Sequence, residues 1–148
     1  HKRLIDCLDR GEALPFDVKD QIIYYVGPAP SKPGQVIGSA GPTTSYRMDD
    51  LTIPLLELGL SGMIGKGKRS EAVIGGMKKH GAIYFAAIGG AGELIANSIV
   101  ASEIIAYEEL GPEAIRKMTV KDFPAIVVID SEGVNMYETE RKKYSVED

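Results

Sequence analysis

Residues 82–88, AIYFAAI, form the most continuous apolar run in this chain of 148 residues, held between Gly81 and the turn GGAG. The run is far too short to cross a membrane, which takes roughly 20 apolar residues. Without polar alternation it predicts a strand buried on both faces, and such a strand demands covering layers. Other stretches supply them. QIIYYVG (21–27) is β-branched and aromatic and predicts a strand, as does FPAIVVID (123–130). QVIGSA (35–40) and the apolar part of GLSGMIGKGKRS (59–70) predict short strands. Helical spacing marks HKRLIDCLDRG at the start, through Leu4, Ile5 and Leu8. Asp49 or Asp50 is expected to cap a helix through LTIPLLELGL, with Pro54 in its first turn, and Ser70 to cap EAVIGGMKKHG. ELIANSIVASEIIAYEEL (93–110) reads as the longest helix, ended by Gly-Pro. SEG turns the next strand toward VNMYE as a hairpin, and the polar tail from about residue 139 is expected to fray. Helices alternating with strands, closed by a hairpin, predict a layered α/β fold with a mixed sheet, on a single domain over residues 1–148.

Bulk properties narrow the function. A net charge of −4 with scattered Lys and Arg argues against a nucleic-acid surface, where phosphates require clustered cations. No apolar run reaches membrane-spanning length and no charged start leads into an apolar stretch, so a cytoplasmic location is expected. Cys7 stands alone and the only histidines are His1 and His80, so neither an internal disulfide nor a local metal-ligand cluster is expected. Cys7 reads as a small packed side chain and His80 as a complement to a helix C-terminus.

The chemistry concentrates in GSAGPTTSYRMD (38–49). A run of this kind is compatible with a plain surface turn. It is also compatible with an anion site. Thr43 and Thr44 offer adjacent hydroxyls after Gly41-Pro42, Arg47 offers a planar fork suited to a carboxylate, and the following helix brings its positive N-terminus near. Asp49 is expected to cap that helix or to hold the Arg47 fork. In GKGKR (65–69), Lys66 has glycine on both sides and can bring a second positive group to the same ligand, whereas Lys68 and Arg69 read as solvent-facing charges. GGAG resembles a dinucleotide-binding turn only in part, since the third fingerprint glycine would fall on Ile95, and close strand-to-helix packing explains it better.

GSAGPTTSYRMD, MIGKGKRS, GAIYFAAIGGAGEL and LGPEAIRKMTVKDFPAIVVIDSEG together resemble the β-type subunit, or C-terminal domain, of iron–sulfur class I fumarate hydratases and the related L-tartrate dehydratases. The likeness spans nearly the whole chain. It implies a swivelling β/β/α domain that joins an α-type subunit carrying a [4Fe-4S] cluster, whose open iron binds substrate. It implies Thr43 as the catalytic base, Thr44 and Arg47 as substrate contacts, and Lys66 as the lysine of the family's KG step. A further substrate arginine of the family lies in an RDAAHKR-like stretch, of which this sequence holds only HKR, so its N-terminal end is expected to be incomplete. The activity implied is reversible hydration of fumarate to malate by a heteromeric hydro-lyase. L-tartrate dehydration is the alternative within the family, and a non-catalytic dicarboxylate-binding or regulatory module the alternative outside it. The partners implied are the cluster-bearing subunit and a small dicarboxylate, with neither nucleic acid nor membrane, and with two chains of each kind as the natural assembly.

Overall fold

A computed structural model describes residues 1–144. Helix α1 (Lys2–Asp9) leads to strand β1 (Ile22–Tyr24), and a short 3₁₀ helix (Ser45–Met48) runs straight into α2 (Asp49–Glu57). Strand β2 (Gly62–Gly65), α3 (Glu71–His80), β3 (Ile83–Ala86), α4 (Gly92–Ser98), β4 (Ile99–Ala106), β5 (Ile115–Val120), β6 (Ile126–Ile129) and α5 (Met136–Tyr144) follow. The main sheet has the order β1-β2-β3-β6, parallel at the first two pairings and antiparallel at the last. The fold is therefore mixed α/β with a mixed sheet, and none of the described helices is long and apolar enough to cross a membrane.

Packing follows from the apolar pattern. Leu55 and Leu56 of α2, Val73 and Met77 of α3, and Met63, Tyr84 and Ile129 of the sheet form one buried cluster, so the two helices cover one sheet face. Helix α3 has both signals read from its sequence. Ser70 Oγ accepts the Val73 amide at 3.3 Å, and Gly81, at φ +72°, closes the C-terminus with its amide on the Met77 carbonyl. A second, smaller cluster of Ile37, Ala40 and Ile99 ties the antiparallel pair β4–β5 to the loop before the threonines.

Several local expectations fail, each for an identifiable reason. The helix predicted over 93–110 is only α4, and from Ile99 the chain becomes β4. Ile99, Val100, Ile104 and Ile105 are β-branched, and β5, unread in the sequence, supplies the pairing that lets them prevail. QVIGSA forms no strand, and only the isolated bridge Val26–Pro42 marks the approach to the threonines. Pro54 lies in the second turn of α2, because the helix starts at Asp49 and is fed by the 3₁₀ turn. The central strand β3 is buried on the helix-facing side through Tyr84, while Ile83 and Phe85 on the other side are half-buried. The hairpin after β6 amounts to one bridge, Ile129–Asn135. Asp130 Oδ1 accepts the Glu132 and Val134 amides, then Asn135 Oδ1 accepts the Tyr137 amide and starts α5. Helix α5 includes the start of the tail expected to fray, residues 139–144, and the last four residues of that tail lie outside the described part.

Candidate functional site

Three loops leave the same end of the sheet and meet. The threonine loop returns along β1, where the Tyr25 carbonyl accepts both the Thr43 amide at 2.8 Å and the Thr43 hydroxyl at 3.0 Å. Thr44 then bridges Lys66 in parallel fashion, and the Ser45 amide donates to the Lys66 carbonyl at 3.0 Å. The GGAG turn closes the third side. The Ala40 amide donates to the Gly92 carbonyl at 3.0 Å, and a Cβ on Gly92 would stand 2.3 Å from Ser39 Oγ. The Lys66 side chain lies along Gly89, whose added Cβ would be 3.8 Å from its Nζ. The GGAG glycines thus serve close packing, as expected, but against the threonine loop and Lys66 as well as at the strand-to-helix turn.

The sequence-derived site residues divide by burial. Thr43 and Thr44 are half-buried, and Arg47 and Lys66 are exposed. Among the described residues neither the Arg47 guanidinium nor the Lys66 ammonium has a hydrogen-bond or ion-pair partner. Asp49 does not hold Arg47. Its Oδ1 accepts Arg69 Nε at 2.7 Å and its Oδ2 accepts the Ser70 amide at 2.6 Å, so the carboxylate secures the start of α3 instead of capping α2. Arg69, expected at the surface, is instead buried, its side chain fully enclosed. An internal carboxylate that pairs with its fork is what makes that burial tolerable.

Beneath the loops Tyr84 adds a second link. Its hydroxyl lies 2.9 Å from both Ser45 Oγ and the Gly67 carbonyl. A phenol has one proton and a carbonyl can only accept, so Tyr84 donates to Gly67 and Ser45 donates to Tyr84. Burial pushes the Tyr84 phenol up to about 12, which keeps it neutral and able to donate. Gly65 makes room for this contact, since a Cβ there would fall 1.8 Å from Ser45 Oγ and 3.0 Å from Tyr25. Gly65→Ala is therefore expected to cost about 1–3 kcal/mol, as overpacking does. Denaturant titration of the variant checks this, and an unchanged midpoint would contradict the close fit. Sequence reasoning missed Tyr25, Ser45, Arg69 and Tyr84, because their partners lie 17 to 44 residues away and no local spacing announces them.

Thr43 holds its own proton toward the Tyr25 carbonyl, which leaves the oxygen lone pairs able to accept. Arg47 and Lys66 are unpaired among the described residues and lie on the turn and the loop next to Thr44, so hydroxyls, one planar fork and one point charge are the groups available here for a small anion. A [4Fe-4S] cluster does not fit this chain's own residues. It takes several thiolates, while the sequence has Cys7 alone, and no three His, Cys, Asp or Glu side chains of the described residues are placed to hold a metal. What these residues can do is bind, orient and handle a proton.

A mixed α/β domain with hydroxyls and free cations on converging loops has the equipment of a domain that handles small anions. Comparison with known proteins is specific: the family model Fumarase C-terminus matches residues 1–140, and the chain belongs to that family. It is 44% identical over 140 residues to the aerobic class I fumarate hydratase of Salmonella typhimurium, which covers 93% of this chain and 24% of that protein. Fumarate hydratase 2 of Leishmania major is 42% identical over 139 residues, at 93% and 24% coverage. The putative L(+)-tartrate dehydratase subunit beta of Methanocaldococcus jannaschii is 38% identical over 149 residues, covering 97% of this chain and 76% of that one. The chain thus spans about a quarter of the length of these fumarate hydratases and most of the subunit beta.

Proposed function

We propose that this chain is the β-type half of a hydro-lyase that hydrates fumarate reversibly to malate, with a cluster-bearing α-type subunit completing the site. The observation that carries the reading is the junction of the two loops, where Thr44 bridges Lys66 and the Ser45 amide holds the Lys66 carbonyl at 3.0 Å. That junction supports a shared site for the threonines and Lys66, with Arg47 on the turn that follows directly. Adding water across a double bond between two carboxylates requires two anion grips and a proton donor at the neighbouring carbon. Arg47 and Lys66 are the grips, and Thr44 adds a hydroxyl to substrate. Thr43 is the proton-transfer group. In the hydration direction its hydroxyl turns from the Tyr25 carbonyl to one substrate carbon and gives up its proton as the hydroxyl of water adds to the other carbon, and the proton that water loses restores the threonine hydroxyl through solvent. In the reverse direction it acts as the base, with the nearby cations favouring the alkoxide. The partner holds the [4Fe-4S] cluster, in keeping with the unsuited donor set here.

The likeness to the Methanocaldococcus jannaschii subunit beta, 38% identical and matched over 76% of its length, supports a β-type role, and its name favours L-tartrate dehydration as the second reading. Co-expression with the α-type subunit decides. A brown complex that hydrates fumarate is the expected result, and turnover of L-tartrate alone would move the assignment to the second reading. A chain that purifies without any such subunit and binds dicarboxylates without turnover would be a binding module instead. By itself this chain is expected to be colourless and inactive. Stable visible absorbance and turnover after reconstituting the lone chain with iron and sulfide would refute the division of labour.

A further inference from the structure

We propose that Arg69 is the positioning residue of this site, the buried cation that sets the threonine loop against the lysine loop. The proposal rests on the reading of Thr43 and Lys66 given above. Arg69 lies three positions after Lys66 and its side chain is fully enclosed. Its fork reaches the elements that flank the site. Nε donates to Asp49 at 2.7 Å and NH2 to Thr52 Oγ1 at 3.0 Å, both on α2, directly after the turn that bears Arg47. NH1 lies 3.4 Å from the Tyr25 hydroxyl and 3.3 Å from Met63 Sδ. The guanidinium carbon also stands 5.2 Å from the ring centroids of both Tyr25 and Tyr84, within cation–π range. These two tyrosines are the ones that grip the loops: the Tyr25 carbonyl holds the amide and hydroxyl of Thr43, and the Tyr84 hydroxyl joins Ser45 to Gly67.

The chemistry explains why an arginine stands there. A buried ion pair is a poor source of stability, since apolar side chains of similar volume commonly serve as well or better. Its directional donors, by contrast, fix geometry. Only a planar fork can reach a carboxylate, a threonine and a tyrosine in three directions while lying near two aromatic rings. A shift of about 1 Å between a proton donor and an anion grip can cost about 100-fold in rate, so a rigid link under both loops acts on turnover without touching substrate.

The double variant Asp49→Asn/Arg69→Met, in the full protein assembled with its partner subunit, separates geometry from stability. Asparagine keeps an acceptor for the Ser70 amide, and methionine fills the space with no unpaired charge left. The melting temperature is expected to stay within a few degrees of wild type, while hydrogen-exchange protection of the Thr43 and Ser45 amides falls at least about tenfold relative to amides of β3. kcat/KM for the diacid is expected to fall about 10- to 100-fold. A merely structural role would lower protection everywhere and leave kcat per folded molecule unchanged. Retained protection at Thr43 and Ser45 overturns the proposal whatever the enzyme does. Lost protection with wild-type turnover leaves the positioning in place and removes the reaction assigned to Thr43. Should the double variant fail to fold, Thr52→Val and Tyr25→Phe each remove one Arg69 contact and keep the Asp49 pair. Selective loss of protection at the same two amides supports the proposal, and unchanged protection in both overturns it.

Discussion

Arg47→Lys in the assembled enzyme is expected to lower kcat/KM about 30- to 1000-fold, a loss of about 2–4 kcal/mol of transition-state stabilisation. Folding stability should stay unchanged, because Arg47 is exposed and its guanidinium has no partner among the described residues. Nothing among the described residues depends on that fork, so the expected loss falls on the ligand and not on the fold. Lysine preserves the charge but presents a compact point charge on a flexible stem, and the paired donors that orient a carboxylate are lost. Steady-state kinetics with a parallel thermal melt checks both halves. Wild-type kcat/KM would take Arg47 out of the site, and a large drop in melting temperature would make it a structural residue.

Thr43→Val is expected to act differently. If the hydroxyl transfers the proton, kcat falls about 100- to 10,000-fold, the range for losing a positioned acid or base. Binding of an unreactive dicarboxylate should stay near normal, since Arg47 and Lys66 remain. The loop should also hold, because the Thr43 amide keeps its 2.8 Å bond to the Tyr25 carbonyl when the side-chain bond is lost. That side-chain bond contributes about 0.5–1.5 kcal/mol to stability. A residue that merely helps to hold substrate would show another pattern, in which analogue affinity and kcat/KM fall together by about the same modest factor. Wild-type turnover in Thr43→Val ends the assignment. The pair of variants thus tests roles as well as location, since Arg47 acts on the grip and Thr43 on the proton.

Much of this molecule could be read from local pattern. The apolar runs at 22–24, 62–65, 83–86 and 126–129 are strands, and Ser70 and Gly81 bound α3 as their cap chemistry requires. The string GPTTSYR carried the candidate site, because hydroxyls, a glycine and a fork within a few residues suit a small anion. Hydrophobic period and capping are properties of neighbours in the chain, and so a sequence displays them.

Where neighbours in space overrule neighbours in the chain, the reading stopped. Residues 99–106 became a strand because β5 was there to pair with them, and an isolated helical period says nothing of a partner that lies beyond the next turn. Arg69 looked like one more loop cation beside Lys68. Its burial was decided by Asp49, Thr52 and Tyr25, 17 to 44 residues away, whose meeting depends on α2 packing over the sheet. The sequence by itself determined which chemical groups this protein presents and which segments could be helix or strand. Tertiary structure alone decided that Lys66 adjoins Thr44, that Asp49 serves Arg69 and not Arg47, and that Arg47 has no partner among the described residues, because charge pairing inside a fold follows distance and desolvation and neither is written in residue order.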